Sequence, residues 1–211
     1  MSLFITFEGL DFSGKSTQVR RLEAALRTSG HNVLVLREPG GTTVGESIRT
    51  ILLDRSTVHL TPAAEMFLFS ASRAQLVEDV IRPALRRGIV VVCDRFYYST
   101  TAYQGGGRGI DADVIHAVNT AATGGLVPDL TLFLDVPDDE RSRRREAMGA
   151  ARDRMESNSE DFYRRVRDAF LRLAATESRF QVIDGTKPEQ EVARQIGVLI
   201  HHLRLRHESR S

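Results

Sequence analysis

Gly9-Leu10-Asp11-Phe12-Ser13-Gly14-Lys15-Ser16 is the stretch that most narrows what this chain can fold into. It reads G-x-x-x-x-G-K-S and follows directly on the apolar run Leu3-Phe4-Ile5-Thr6-Phe7, where strand chemistry gives way to helix chemistry. Glycines let the backbone turn tightly, so that successive N–H groups point at one phosphate. The helix that follows adds its positive N-terminal dipole. On this reading Gly9, Leu10, Asp11, Phe12, Ser13, Gly14, Lys15, Ser16 and Thr17 form a nucleoside triphosphate site. Lys15 reaches the outer phosphates, and the Ser16 hydroxyl is placed to ligate Mg²⁺.

Downstream, strand-like and helix-like stretches alternate. Val33-Leu34-Val35-Leu36, Ile89-Val90-Val91-Val92-Cys93, Leu130-Thr131-Leu132-Phe133-Leu134 and Phe180-Gln181-Val182-Ile183 read as buried strands. Thr61-Pro62 opens a long helix to about residue 87, bent or interrupted by Pro83. Asp111 caps another helix, and Thr186-x-x-Glu189 reads as a capping box for the last one. The alternation implies an α/β fold: a three-layer, doubly wound parallel sheet of about five strands with helices on both faces. A chain of 211 residues fits one such domain, 1–211, with no linker or repeat.

In a sheet of this kind ligands lie beyond the carboxyl ends of the strands. Three strand ends deliver chemical groups there: the phosphate loop, Arg37-Glu38-Pro39-Gly40-Gly41-Thr42, and Asp94-Arg95. Asp94 suits Mg²⁺ or its waters. Arg95 stands where a motor ATPase carries a water-activating glutamate, and a guanidinium is better fitted to holding a second phosphate. A GTPase would need Asn/Thr-Lys-x-Asp; Thr186-Lys187-Pro188-Glu189 lacks the aspartate. Phe69 and Arg73 share a helix face at i, i+4, a spacing that suits a planar base as well as core packing. The glycine-dense stretch 99–109, which includes Tyr103 and Gln104, reads as a loop able to mould around a polar ligand.

Several of these residues together resemble the thymidylate kinases in their bacterial form. The match rests on Phe7-Glu8-Gly9-x-Asp11, Arg37-Glu38-Pro39-Gly40-Gly41-Thr42, Asp94-Arg95-Phe96, Ala102-Tyr103-Gln104-Gly105 and Asp153-Arg154-Met155-Glu156, followed by Asp161-Phe162-Tyr163. It runs in order over residues 3–173. The resemblance implies ATP + dTMP → ADP + dTDP with Mg²⁺, in a homodimer. It places Asp11 near the sugar 3′-hydroxyl and the phosphates, and Arg95 on the acceptor phosphate. Phe69 stacks on thymine and Arg73 bonds its carbonyl edge. Tyr103 lies against the deoxyribose 2′ position, Thr100 and Gln104 border the base, and Glu38 and Ser99 complete the dTMP site. Lys15, Asp94 and Arg95 are the expected catalytic groups, with Ser16 and Asp94 at the metal.

An Arg-rich segment, about 141–156, reads as a mobile lid that brings a cation to the transferring phosphoryl group and excludes water. The family carries arginine or glycine where this chain has Phe12, arginine going with a lid that lacks a catalytic one. The cation is therefore expected from the lid, with Arg145 and Arg152 the candidates and Arg154 structural. Replacing Arg145 or Arg152 by alanine should lower kcat at least tenfold.

The remaining alternatives are a kinase for another small (deoxy)nucleoside or nucleotide acceptor and a nucleotide-binding switch without acceptor chemistry. Lys15, Ser16, Asp94 and Arg95 argue against the switch. Net charge is +1, which gives no global field for nucleic acid or membrane. One cysteine, Cys93, fits a reducing compartment, and no apolar run approaches the ~20 residues of a membrane span. A cytoplasmic protein is expected. The six histidines show no metal-ligand spacing.

Overall fold

The computed structural model describes residues 2–56, 60–149, 154–155 and 158–208, of which 206–208 by backbone alone. Five parallel strands, β1 (Phe4–Glu8), β2 (Val33–Arg37), β3 (Val90–Asp94), β4 (Leu130–Asp135) and β5 (Phe180–Asp184), form one sheet in the order β2-β3-β1-β4-β5. Each strand extends to the polar residue that the sequence places after its apolar run. Glu8, Arg37, Asp94, Asp135 and Asp184 therefore all stand at the carboxyl edge.

Strand residues alternate between two cores, as period-2 geometry requires. Leu3, Ile5, Phe7, Val92 and Leu132 pack with α1 (Lys15–Thr28) and α9 (Glu189–Glu208) through Val19, Leu22, Val192 and Ile196. On the other face Phe4, Val91 and Cys93 meet Leu76, Val77 and Ile81, while Phe133 and Phe180 meet Phe162, Val166 and Phe170 of α8 (Glu160–Thr176). At the sheet centre the Thr6 and Thr131 hydroxyls bond each other at 2.8 Å, so neither is left unpaired in the core.

One local expectation is met and two are corrected. The long helix begins as expected, with Thr61 Oγ1 accepting from Ala64 N–H and Pro62 at its first position. It is then divided into α3 (Pro62–Leu76), a π-helical turn at Val77–Ile81, and α4 (Arg82–Arg86). Pro83 has no N–H for the i→i−4 ladder, and the wider turn before it, in which Arg82 N–H reaches the Val77 carbonyl, absorbs the mismatch. The glycine-dense stretch is helical rather than a loop: α5 (Tyr97–Thr100) runs into a π-helix at Thr101–Gly107. Its glycines serve close packing, since a Cβ on Gly106 or Gly107 would lie 2.5 Å from Ala169 or 2.4 Å from Phe162. Finally, Thr186 donates its hydroxyl to Asp184 Oδ1 at 2.5 Å instead of capping, and α9 starts only at Glu189.

Candidate active site

Most of the residues expected at the site converge on one cleft of about 680 Å³ at the carboxyl edge. Asp11, Phe12, Gly14, Lys15, Ser16 and Thr17 line it from the phosphate loop and α1. Glu38, Phe69, Asp94, Arg95, Ser99, Thr100, Tyr103 and Gln104 face them. Gly9 and Leu10 lie behind the wall. A Cβ on Gly9 would come 2.7 Å from the Leu134 carbonyl, and Leu10 is 2 % exposed in the aromatic core. Their glycine and leucine chemistry therefore seats the loop on the sheet.

Lys15 is buried, and its Nζ donates to the Gly9 and Leu10 carbonyls at 3.1 and 2.9 Å. Burial lowers its pKa, since the ammonium has left water. Ser16 Oγ lies 3.3 Å from Asp94 Oδ2, and Asp94 Oδ1 is buried without a hydrogen-bond partner among the described residues. A hydroxyl, a carboxylate and an orphaned carboxylate oxygen beside a phosphate loop fit a hard cation that keeps most of its ligands as water and phosphate.

Arg95 dominates the opposite side. Its Nη2 donates to Asp11 Oδ1 at 2.7 Å and to Tyr103 OH at 3.4 Å, and its Nη1 to Ser99 Oγ at 3.2 Å. The guanidinium lies 5.2 Å from the Tyr103 ring centroid. Burial works to raise the Asp11 carboxyl, but Arg95 and Lys15 outweigh it and hold Asp11 below the usual range. Arg95 and Phe12 are the two described non-glycine residues with positive φ, 73° and 66°. Each such conformation costs roughly 1–2 kcal/mol, and both occur where the backbone meets the cleft.

Glu8 holds the strained turn at Arg95. Fully buried, it accepts Phe96 N–H and Ser99 N–H on Oε1 at 2.9 and 3.2 Å, and the Ser99 hydroxyl on Oε2 at 2.6 Å. Burial pushes its carboxyl up from 4.5 to about 7, against the pull of Ser99 and Arg95. The folded protein thus keeps this proton above the unfolded pKa. Glu8 adds stability that is complete below about pH 4.5 and lost as pH rises through about 7, on the order of 3 kcal/mol in all. Glu8→Gln cannot ionise. In urea unfolding, its stability relative to wild type should rise by that order between about pH 4 and about pH 8; a constant difference would refute this assignment.

The end of the cleft around Glu38 and Thr100 is built on Arg73. It is 1 % exposed and does not itself line the cleft; Nε donates to Glu38 Oε2 at 2.8 Å, Nη2 to the Phe96 carbonyl at 3.2 Å, and Nη1 to Thr100 Oγ1 at 2.9 Å. Thr100 presents this guanidinium to the cleft. Burial raises the Glu38 carboxyl, with Arg73 opposing.

The helix α7 (Asp138–Met148), which carries the start of the segment expected to act as a lid, begins before the expected 141. Arg143 and Arg144 line the cleft; Arg145 is not among its lining residues, and Arg152 lies outside the described residues. Arg144 donates from Nη1 to the Phe12 carbonyl at 3.5 Å, from Nη2 to the Gly185 carbonyl at 2.8 Å, and from Nε to Glu140 at 2.7 Å. Arg154 pairs with buried Glu65 at 2.8 Å, the structural role expected of it. Beside the main cleft a second cavity, about 240 Å³, is lined by Gly14, Thr17, Gln18, Arg144, Gly185 and Lys187, and by Ser13. Neither this cavity nor Glu8, Arg144 and Arg49, which also lines the main cleft, stood out in the sequence as site residues. Among the described residues no group of three or more His, Cys, Asp or Glu could hold a metal, and no helix is long and apolar enough to cross a membrane.

The sequence model of the family described as thymidylate kinase matches residues 7–196. A thymidylate kinase of Deinococcus radiodurans is 49 % identical over 195 residues, covering 92 % of this chain and 94 % of that one. One of Desulfovibrio desulfuricans is 48 % identical over 200 residues, covering 92 % of each. The crystal structure of thymidylate kinase from Ehrlichia chaffeensis superposes with a TM-score of 0.78 at 34 % identity, covering 94 % of this chain and 98 % of that one.

Proposed function

We propose, from the premise that the chain belongs to the thymidylate kinase family, a residue-by-residue account of how its cleft transfers a phosphoryl group from ATP to dTMP. The chain is a dTMP kinase. The observation that carries the account is the pairing of Lys15, Ser16 and Asp94 with Arg95 across one cleft, the two sides joined at Asp11. Phosphoryl transfer asks little covalent chemistry of the protein; it asks that two phosphates be held in line and their charge be neutralised.

Lys15 and the loop N–H groups hold the β- and γ-phosphates of ATP. Its adenosine end extends toward the second cavity, beside Gly185 and Lys187. Arg95 holds the dTMP phosphate, and Asp11 keeps that guanidinium aimed while it meets the sugar 3′-hydroxyl. Phe69 covers the face of thymine, Thr100, backed by Arg73, and Gln104 meet its edge, and Tyr103 closes off the 2′ position. Glu38, with Oε1 buried and unpartnered, and Ser99 complete the wall. Ser16 and Asp94 would hold Mg²⁺, which when bound neutralises phosphate charge and orients the donor.

Phe12 brings no charge to the loop, and Arg144 is the lid cation in position to replace it. Its guanidinium already reaches the loop carbonyl of Phe12. Arg144→Ala is expected to lower kcat at least about tenfold with ATP affinity within about threefold, and Arg145→Ala to do less. Equal, near-native kcat in both would remove the assignment from Arg144, and a full loss in Arg145→Ala would return it to the residue favoured from sequence.

The protein acts as a homodimer in the cytoplasm, where a dTMP kinase finds its substrates. Phe67 on α3 is 57 % exposed, with Ile51 and Val44 exposed on α2 (Thr43–Leu53), which packs on α3. Phe67→Asp should shift the protein to a monomer in sedimentation; an unchanged state would place the interface elsewhere.

The reaction itself is tested by ³¹P NMR of enzyme, ATP and dTMP. The β-phosphate of dTDP should appear as ATP is lost, and EDTA should stop it. ADP and inorganic phosphate without dTDP would overturn the reading.

A further inference from the structure

We propose that Glu65 is a positioning residue for base selection: it turns the Gln104 amide so that its carbonyl oxygen faces the base, which favours a pyrimidine bearing an N3–H. The inference rests on the reading that Gln104 borders the base.

Gln104 lines the cleft from the π-helix at Thr101–Gly107, and it is 1 % exposed. Its Nε2 donates to Glu65 Oε1 at 2.9 Å. An amide can point either way, and only its partner decides which end goes where. Here the partner is 1 % exposed and anchored by two arginines. Arg108 donates from Nε to Oε1 at 3.1 Å and from Nη2 to Oε2 at 3.2 Å, and Arg154 Nη2 lies 2.8 Å from Oε2. Arg108 is fixed in turn by Asn158 Oδ1 at 2.7 Å and by the Phe162 ring at 4.6 Å. Against burial, these partners lower the Glu65 pKa.

A carboxylate held ionised has no proton to donate. Turning the Gln104 amide over would set its carbonyl oxygen against a carboxylate oxygen at hydrogen-bond distance, with both buried and unpaired. The NH₂ end therefore stays on Glu65, and the oxygen is left for a ligand. Thymine meets it with the N3–H donor. Cytosine offers an acceptor at N3, so two lone pairs would face each other in a dry pocket. A site built to hydrogen-bond one partner rejects the analogue lacking it far more strongly than an apolar pocket rejects a methylene.

The test compares kcat/KM for dTMP with that for 5-methyl-dCMP, two acceptors that differ only around N3 and C4. Glu65→Gln gives Gln104 a partner that can itself donate, so the dTMP preference should fall by about tenfold or more. That substitution leaves two partly buried arginines facing no carboxylate. The double variant Glu65→Gln/Arg154→Gln restores the native excess of one cation and carries the same expectation, and it decides where the single variant does not fold. Arg154→Gln alone keeps the carboxylate and should leave the preference within about threefold of wild type, although it disturbs the same cluster. Gln104→Leu should lower the preference. If Gln104→Leu lowers it and the double variant does not, Glu65 has no orienting role and the base reading stands. If Gln104→Leu leaves it unchanged, Gln104 does not read the base and both fall.

Discussion

Arg95→Met is expected to lower kcat/KM for dTMP by about 10³-fold while ATP affinity stays within about threefold. On the proposed account Arg95 is the cation on the acceptor side of the cleft, and Asp11, Ser99 and Tyr103 all address it. Removing one partner of a desolvated, charge-assisted contact to phosphate costs ~2–5 kcal/mol, and 10³-fold lies inside that range. Arg95→Lys should recover part of the loss, since a point charge replaces the fork that grips phosphate bidentately. Steady-state kinetics with each substrate varied separates the sides. A loss that fell on the KM for ATP would place Arg95 with the donor.

Lys15→Met is expected to remove at least about 10³-fold from kcat. Its Nζ is the buried charge of the phosphate loop, held by the Gly9 and Leu10 carbonyls close to where the transferring group must pass. A preorganised charge in a water-poor site contributes far more to a charged transition state than the same group in water. Stability should move little by comparison. The variant leaves two carbonyls without this donor but also takes a desolvated ammonium out of the interior, two opposed effects of similar size. Stopped-flow transfer rates alongside thermal unfolding check both halves. A large drop in Tm with a matching loss of rate would make Lys15 a folding residue instead.

What the sequence made legible was chemistry tied to local spacing. The phosphate loop between apolar run and helix, and the Asp94-Arg95 pair after a β-branched strand, both come out at one edge because parallel strands put their carboxyl ends together. What stayed hidden depends on contacts distant in the chain. Glu8 is one letter after an apolar run, and it becomes the anchor of the Arg95 turn only because N–H groups of Phe96 and Ser99 arrive across the sheet. Arg143, Arg144 and Arg145 are consecutive on one helix and so point in three directions; Gly185 and Phe12 single out Arg144. The glycines near Gly106 look like a loop until α8 packs against them, since close helix approach and chain flexibility use the same residue. Glu65 precedes an apolar helical stripe, where nothing local marks a carboxylate that Gln104 and Arg108 from one segment and Arg154 from another come to share.

Phe12 links the loop to the lid. A loop without its own cation still needs one near the transferring group, and Arg144 of α7 donates to the backbone of Phe12 itself. On the proposed account, closing this helix over the cleft ties chemistry to the presence of both substrates and limits wasteful attack by water.

The most direct test of a two-phosphate cleft is ADP release from ATP measured with no acceptor and with dTMP, dUMP, dCMP and thymidine in turn. Release is expected to be negligible without acceptor, fastest with dTMP, and weak with thymidine, which brings no phosphate to Arg95. Release that is the same with and without dTMP, or as fast with thymidine as with dTMP, would contradict it.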